Sequence, residues 1–318
     1  MSEQVMVSII CNAYNHGKYI RETLEGFVTQ KTNFIFEILV HDDASTDDTA
    51  DIIREYEAKY PELIKPIYQT ENQYSKKIGI NKNYQVPRVK GKYVALCEGD
   101  DYWTNPMKLQ KQFDFMEANP DYSLCTCSTD WYNMRSGVVE NKCRAEKDMD
   151  VTLEEIILEK HGRIFQYASY FLKAEIIKEF PEWRIKFPIG DYPLAIQCAL
   201  SGKVHMLADC MAVYRYYSEG SWTARMDGDE HRIRVSERML EGLDALNEAT
   251  DLKYNDVITQ RKNVHEYFLA LCRHDLDTIR KGKLKEMYRN RPLIKKISDI
   301  LHCKCPKLFV IVRKLAKK

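Results

Sequence analysis

The sequence predicts an α/β fold, a parallel sheet covered by helices, followed by an almost wholly helical C-terminal region. Three observations carry this expectation. Strand-like β-branched runs alternate with helix-like stripes over the first ~110 residues, the pattern of a covered parallel sheet. A polar cluster stands directly after three of those runs. From His231 on, the apolar residues keep helical spacing alone.

Taken in order, Val5–Cys11 reads as a β-branched strand, and Lys18–Thr29 as a helix with Ile20, Leu24, Phe27 and Val28 on one stripe. Phe36–Val40 is the second strand and runs into HDDASTDDT, where Thr46 or Asp47 can cap the next helix. In that helix Ile52, Ile53 and Tyr56 share a face before Pro61 ends it. Lys65–Gln69 and Tyr93–Cys97 are the third and fourth strands, separated by a polar connection rich in Lys and Asn. Asn105-Pro106 then opens a helix as cap and first-turn proline, with Leu109, Phe113 and Met116 as its buried stripe. The middle of the chain is more mixed, with short strands at Ser123–Ser128 and Ala168–Leu172 and a capping box at Thr152/Glu155. Beyond it Val235, Met239, Leu243 and Leu246 repeat at helical spacing, as do Val264, Phe268 and Leu271. The expected division is residues 1–227, with halves at about 1–110 and 111–227, and a helical region 228–318 starting near Gly228.

The chain has 318 residues, 44% hydrophobic and 30% charged, which excludes wholesale disorder. Its net charge of +1 conceals an asymmetry: residues 289–318 hold ten Lys/Arg against the single acid Asp299, about +9, leaving about −8 on the rest. A basic tail mixed with apolar residues points to an anionic surface, a membrane before a nucleic acid, or to a solvated end or a helical oligomer contact. The N-terminal MSEQVMVSIICNAYNH lacks the basic start of a signal peptide, and no apolar run reaches the ~20 residues of a membrane span. Of the ten cysteines, Cys11, Cys97 and Cys198 lie in apolar runs, as expected of buried, reduced thiols. The pairs Cys125/Cys127 and Cys303/Cys305 lack zinc-finger spacing.

Ligands of open α/β sheets bind beyond the carboxyl ends of the strands. Asn12-Ala-Tyr-Asn15, Asp42-Asp43 and Glu98-Gly-Asp100-Asp101 all stand at such ends, which argues for one shared pocket. The first turn has neither GxGxxG nor GxxxxGK[ST], so no glycine loop cradles phosphate there. Clustered carboxylates instead suit a hard divalent cation, Mn²⁺ or Mg²⁺, completed by the phosphates of a ligand.

Together VSIICNAYNH, EILVHDDASTDDT and KGKYVALCEGDDYW resemble glycosyltransferase family 2 in its motif order, over Val5 to Phe115 and more weakly to Trp222. The resemblance implies a GT-A (Rossmann-like) nucleotide-diphospho-sugar transferase fold with a C-terminal helical extension, and an inverting transfer at a DXD-type metal site. It assigns Asn12, with Tyr14 beside it, to the uracil or ribose, Asp43 to the base, Lys77 to base or phosphate, Asp100 to the ribose and Asp101 to the metal. In FPIGDYPLAIQCALSGK it makes Asp191 the catalytic base, where the residue alone reads as an N-cap; the two roles are compatible. VYRYYSEGSWT resembles the strand and loop over the donor diphosphate, with Arg215, Ser221 and Trp222 as candidate contacts; Arg215 reads equally as an ion-pair partner.

The implied activity moves one sugar, without processivity, from a nucleotide-sugar (a UDP-sugar) to a hydroxyl of a glycan or lipid-linked acceptor in cell-surface polysaccharide synthesis. A cytoplasmic location at the inner face of the plasma membrane, a homodimer through the C-terminal helices and no nucleic-acid partner complete the expectation. Its rivals are a degenerate nucleotide-sugar- or glycan-binding scaffold and a nucleotidyltransferase, whose glycine-rich basic loop is missing from NAYNHGKY.

Overall fold

A computed structural model describes residues 4–160, 166–219, 221 and 228–315. The chain forms two compact units, one of residues 1–180 and 191–221, the other of residues 181–190 and 222–318.

The first unit is built on one ten-stranded sheet. Its strands are β1 (Val5–Ala13), β2 (Ile35–Asp42), β3 (Ile64–Tyr68), β4 (Tyr93–Leu96), β5 (Tyr102–Trp103), β6 (Tyr122–Asn133), β7 (Val138–Cys143), β8 (Met149–Asp150), β9 (Phe171–Lys173) and β10 (Lys203–Tyr216). The order is β3-β2-β1-β4-β9-β6-β10-β5, with β7 on β6 and β8 on β10. β3, β2, β1 and β4 are mutually parallel, so each needs a crossover. Helices α1 (Ile20–Val28) and α2 (Thr49–Lys59) supply the first two crossovers. Ile20, Leu24 and Phe27 of α1 and Ile52, Ile53 and Tyr56 of α2 pack with Val7, Ile9, Ile38 and Val40 in one core, the faces their spacing anticipates. α3 (Lys108–Ala118) follows β5 and adds Leu109 and Met116 to this core.

Several local expectations are met with shifted edges. The Asp47 carboxylate takes the Thr49 N–H at 3.0 Å, although the residue preceding α2 is Asp48. Asn105 accepts from the Met107 N–H at 2.8 Å, one turn ahead of α3. The Thr152/Glu155 capping box is complete at the start of α4 (Leu153–Leu158). Helix α5 (Ala174–Lys178) follows β9 directly, and α7 (Asp191–Ser201) precedes β10.

The second unit is helical throughout its described residues. It contains α6 (Glu182–Lys186), α8 (Asp229–Ala249), α9 (Asn255–Cys272), α10 (Leu276–Arg280), α11 (Lys285–Asn290), α12 (Leu293–Lys304) and α13 (Pro306–Leu315). Tyr267, Leu271, Leu276, Ile279, Leu284 and Cys303 form its buried cluster. Among the described residues, no helix is long and apolar enough to cross a membrane. Eight of the ten cysteines are buried, Cys210 is half-buried and Cys305 exposed.

Candidate active site at the strand ends

Parallel pairing brings three strand ends to one edge. Ala13 of β1 pairs with Asp42 of β2, and Ile10 with Leu96 of β4. The bonding continues past the strands: the Asp43 N–H donates to the Ala13 carbonyl at 2.9 Å and the Gly99 N–H to the Asn12 carbonyl at 2.9 Å. The three polar clusters are thereby sewn side by side. Gly99 is required there, because a Cβ would lie 2.8 Å from His16 Nδ1 and 3.1 Å from the Asn12 carbonyl oxygen.

Asn12 is half-buried and fully engaged. Its amide nitrogen donates to Asn81 Oδ1 at 3.0 Å, and its oxygen accepts from Gln85 Nε2 at 3.1 Å. Gln85, wholly buried, also donates to the carbonyls of Cys11 and Leu39, clamping β1 to β2 beneath the site. Tyr14 stands exposed beside it. Asp43 is buried, with Oδ1 accepting from the Gln73 N–H at 2.7 Å and Oδ2 from the Tyr74 N–H at 3.0 Å. These bonds fix the turn that carries Lys77, which is exposed, with its backbone in the left-handed region at φ 61°.

The acidic segment divides by direction. Asp101, the expected metal ligand, turns inward: it is 2% exposed, and its Oδ1 accepts from the backbone N–H of Arg215 at 2.8 Å. Its carbonyl accepts from the Thr23 hydroxyl at 2.6 Å. Burial first, and Asp100 second, push its carboxyl well above the usual range against the pull of the Arg215 N–H. The physical reason lies in β5, which follows at once and pairs antiparallel with β10, Tyr102 opposite Val213. That pairing draws Asp101 against β10, while its carboxyl stays within electrostatic reach of Asp100 and Glu98.

Asp100 Oδ2 accepts from the buried Ser218 hydroxyl at 2.6 Å. Glu98 is half-buried, and its carboxyl is pushed up to about 8 by burial, then by Asp100, with Asp191 adding to the rise and a hydrogen bond from Asn12 opposing it. Glu98 is therefore within electrostatic reach of Asp100 and Asp191, and Asp101 of Asp100 and Glu98. Asp191 opens α7 and accepts the Tyr192 N–H on Oδ1 at 2.8 Å, while its carbonyl accepts from the buried Tyr170 hydroxyl at 3.1 Å. It is thus a helix-start residue as well as a member of the acidic group.

Arg215 is spent internally rather than offered to a phosphate. Its guanidinium donates to the Asp100 carbonyl at 2.7 Å and to Glu22, and it lies 4.3 Å from the Tyr102 ring centroid. The Ser221 N–H donates to the Ser218 carbonyl at 3.1 Å; Trp222 lies outside the described residues. Sequence reading passed over Asn81, Gln85 and Ser218. Asn81 and Gln85 sit in the polar NKNYQ stretch, whose run of amide side chains was the available signal.

A sequence model of Glycosyl transferase family 2 matches residues 8–219, from β1 to just past β10. The chain belongs to glycosyl transferase family 2. It is 33% identical over 229 residues to an uncharacterized protein of Mycobacterium tuberculosis, covering 68% of this chain but only 60% of that protein. Over 113 residues it is 38% identical to the Escherichia coli UDP-Glc:alpha-D-GlcNAc-diphosphoundecaprenol beta-1,3-glucosyltransferase WfaP, covering 36% of this chain and 42% of the enzyme.

Two solved structures share the fold. Staphylococcus aureus TarS, crystallised with UDP-GlcNAc, aligns at TM-score 0.59 and 20% identity over 94% of this chain and 79% of that one. The Pyrobaculum calidifontis mannosyltransferase PcManGT, in complex with GDP-Man and Mn²⁺, aligns at TM-score 0.59 and 16% identity over 100% and 89%. The GT-A fold of this family is therefore the fold of the first unit.

Proposed function

We propose that the protein is a divalent-cation-dependent, inverting glycosyltransferase that moves one sugar from a nucleotide-sugar, a UDP-sugar in our reading, to an acceptor hydroxyl. The observation that carries this is the acidic group at the strand ends: Glu98 raised to about 8 by burial and by Asp100 and Asp191 is the signature of carboxylates gathered without enough positive charge. Such a donor set fits a hard cation that accepts oxygen ligands.

In this reading Asp101 and Asp100 would hold the cation, with Glu98 beside them. A cation there supplies charge neutralisation for a departing nucleoside diphosphate. Asp101 anchors the segment through the Arg215 N–H, and Arg215 braces it through the Asp100 carbonyl. Asn12 and Tyr14 flank the nucleoside, Asp43 accepts from the base or positions the turn that does so, and Lys77 offers charge to the donor from that turn. Ser221 and Trp222 belong to the segment over the donor. Asp191 takes the proton of the acceptor hydroxyl as it attacks the anomeric carbon from the face opposite the leaving group.

UDP-GlcNAc in TarS, GDP-Man with Mn²⁺ in PcManGT and UDP-Glc in the name of WfaP support the donor class. The diphosphoundecaprenol-linked substrate named for WfaP supports a lipid-linked acceptor in cell-envelope polysaccharide synthesis. Docking on an anionic inner membrane surface is supported by the C-terminal helices. There Leu293 and Ile294 are 73% and 70% exposed, with Lys295, Lys304 and Lys307 exposed around them.

The test is Asp191→Asn. It should abolish sugar transfer in a screen of nucleotide-sugars while leaving nucleotide affinity nearly intact, and wild-type turnover by this variant would remove Asp191 as base.

A further inference from the structure

We propose that the helical C-terminal unit binds a zinc ion on Asp229, His274 and His302. The proposal does not depend on the glycosyl-transfer reading, because all three residues belong to the second unit, apart from the acidic group of the sheet.

The cluster follows from how three helices begin and end. Helix α12 stops at Lys304, and Pro306 has no N–H to give the carbonyl four residues before it. That carbonyl belongs to His302, and His274 Nδ1 lies 3.0 Å from it. A carbonyl only accepts, so Nδ1 of a neutral His274 carries the proton and Nε2 keeps the lone pair. A backbone carbonyl holding one ring nitrogen is the usual way a ligating histidine has its tautomer fixed. Asp229 is the first residue of α8, after Gly228 at φ 123°, and its Oδ2 lies 3.2 Å from His302 Nε2. The His302 ring is buried and stacks on Phe309 at 4.3 Å. One ligand atom from each of the three side chains lies within 4.8 Å of the others.

Two imidazoles and a carboxylate are the borderline donors that zinc takes, with water completing a tetrahedron whose donors stand about 3.4 Å apart at bonds of about 2.1 Å. The His302–Asp229 separation already meets that spacing, and the exposed His274 brings its ligand atom within 4.8 Å of both. Asp229 Oδ1 faces Arg232 Nη1 at 3.4 Å, a local cation that uses the other oxygen and leaves Oδ2 for the metal. Two hydrogen bonds, His302 Nε2 with Asp229 and His274 Nδ1 with the His302 carbonyl, assemble the three residues and leave His274 Nε2 as a lone-pair donor for the metal. Zinc would tie residues 229, 274 and 302 together through their side chains, where hydrogen bonding joins His274 only to the backbone of residue 302.

The experiment uses the full-length protein, stripped with chelator and titrated with zinc chloride alone. Bound zinc is counted by competition with a chromogenic chelator and by elemental analysis. The wild type should hold one equivalent more than His274→Ala and Asp229→Asn. The lost affinity should exceed the roughly 10–100-fold expected for removing an outer-shell partner. Zinc should raise the melting temperature of the wild type and leave that of His274→Ala unchanged. His274→Ala also loses the bond to the His302 carbonyl, so each protein is compared with its own zinc-free melting. A stable variant that gains nothing from zinc separates loss of metal from loss of fold. Equal zinc stoichiometry and equal zinc-induced shifts in wild type and His274→Ala would overturn the proposal.

Discussion

Glu98 offers a prediction whose size follows from the structure. Its carboxyl is pushed up to about 8 by burial and by Asp100 and Asp191, whereas an unfolded chain holds glutamate near 4.5. In metal-free protein, folding therefore takes up a proton at any pH between those values. A group raised in the folded state leaves stability whole below the unfolded pKa and removes it as pH rises through the folded one. At about 1.4 kcal/mol per pH unit the ceiling is about 5 kcal/mol, and because Glu98 is half-buried, screening by water reduces it to a few kcal/mol. The perturbation is Glu98→Gln, which keeps the shape and removes the titration. Denaturant unfolding of chelator-treated protein at pH 5, 7 and 9 should show wild type and variant alike at pH 5. The variant should then become the more stable by a few kcal/mol at pH 9. Mn²⁺ at pH 9 should narrow that gap by stabilising the wild type more. Parallel pH profiles for the two proteins would refute the charge-crowding argument.

Further predictions concern the scaffold and the tail. Gly99→Ala should cost about 1–3 kcal/mol in denaturant unfolding, since its Cβ meets the Asn12 carbonyl, Ala13 and His16 at 2.8–3.1 Å. Arg215→Met should lower stability by about 1–3 kcal/mol through the unpaired Asp100 carbonyl, and Arg215→Lys should not restore it, because lysine cannot fork between Asp100 and Glu22. Thr152→Ala should cost about 1 kcal/mol by opening the capping box of α4. In liposome sedimentation, Ile294→Glu and Leu293→Glu should release the protein from anionic vesicles; unchanged binding would remove these helices as the docking surface.

How much of this was legible in the sequence depended on the range of the interaction. Helices α1, α2 and α3 and strands β1 to β4 are encoded by local periodicity, and their apolar faces pack in the core with Val28 and Phe113 at its edge. The burial of Lys108, Gln110 and Gln112 on α3 was not legible. The long β10 was legible only at its end: its first half, KVHMLADC, alternates weakly and is interrupted by register shifts against β6. The two-residue β5 has no local signature at all and exists because β10 pairs with it. The same distant pairing decides the acidic segment. That Asp101 faces the Arg215 N–H, 114 residues away in sequence, and Asp100 faces Ser218 could not be read from EGDDYW. The strand-end placement of Asn12, Asp43 and Glu98 was legible, because the parallel order sets it. The meeting of His274 and His302 was not, since it rests on a helix ended by Pro306 and on the packing of α9, α10 and α12.

Calorimetric titration of UDP into the protein, with Mn²⁺ and with chelator, bears most directly on the strand-end site. The account predicts binding that requires Mn²⁺, is lost in Asp100→Asn and survives in Asp191→Asn. UDP binding of equal strength in chelator, or undiminished in Asp100→Asn, would contradict it.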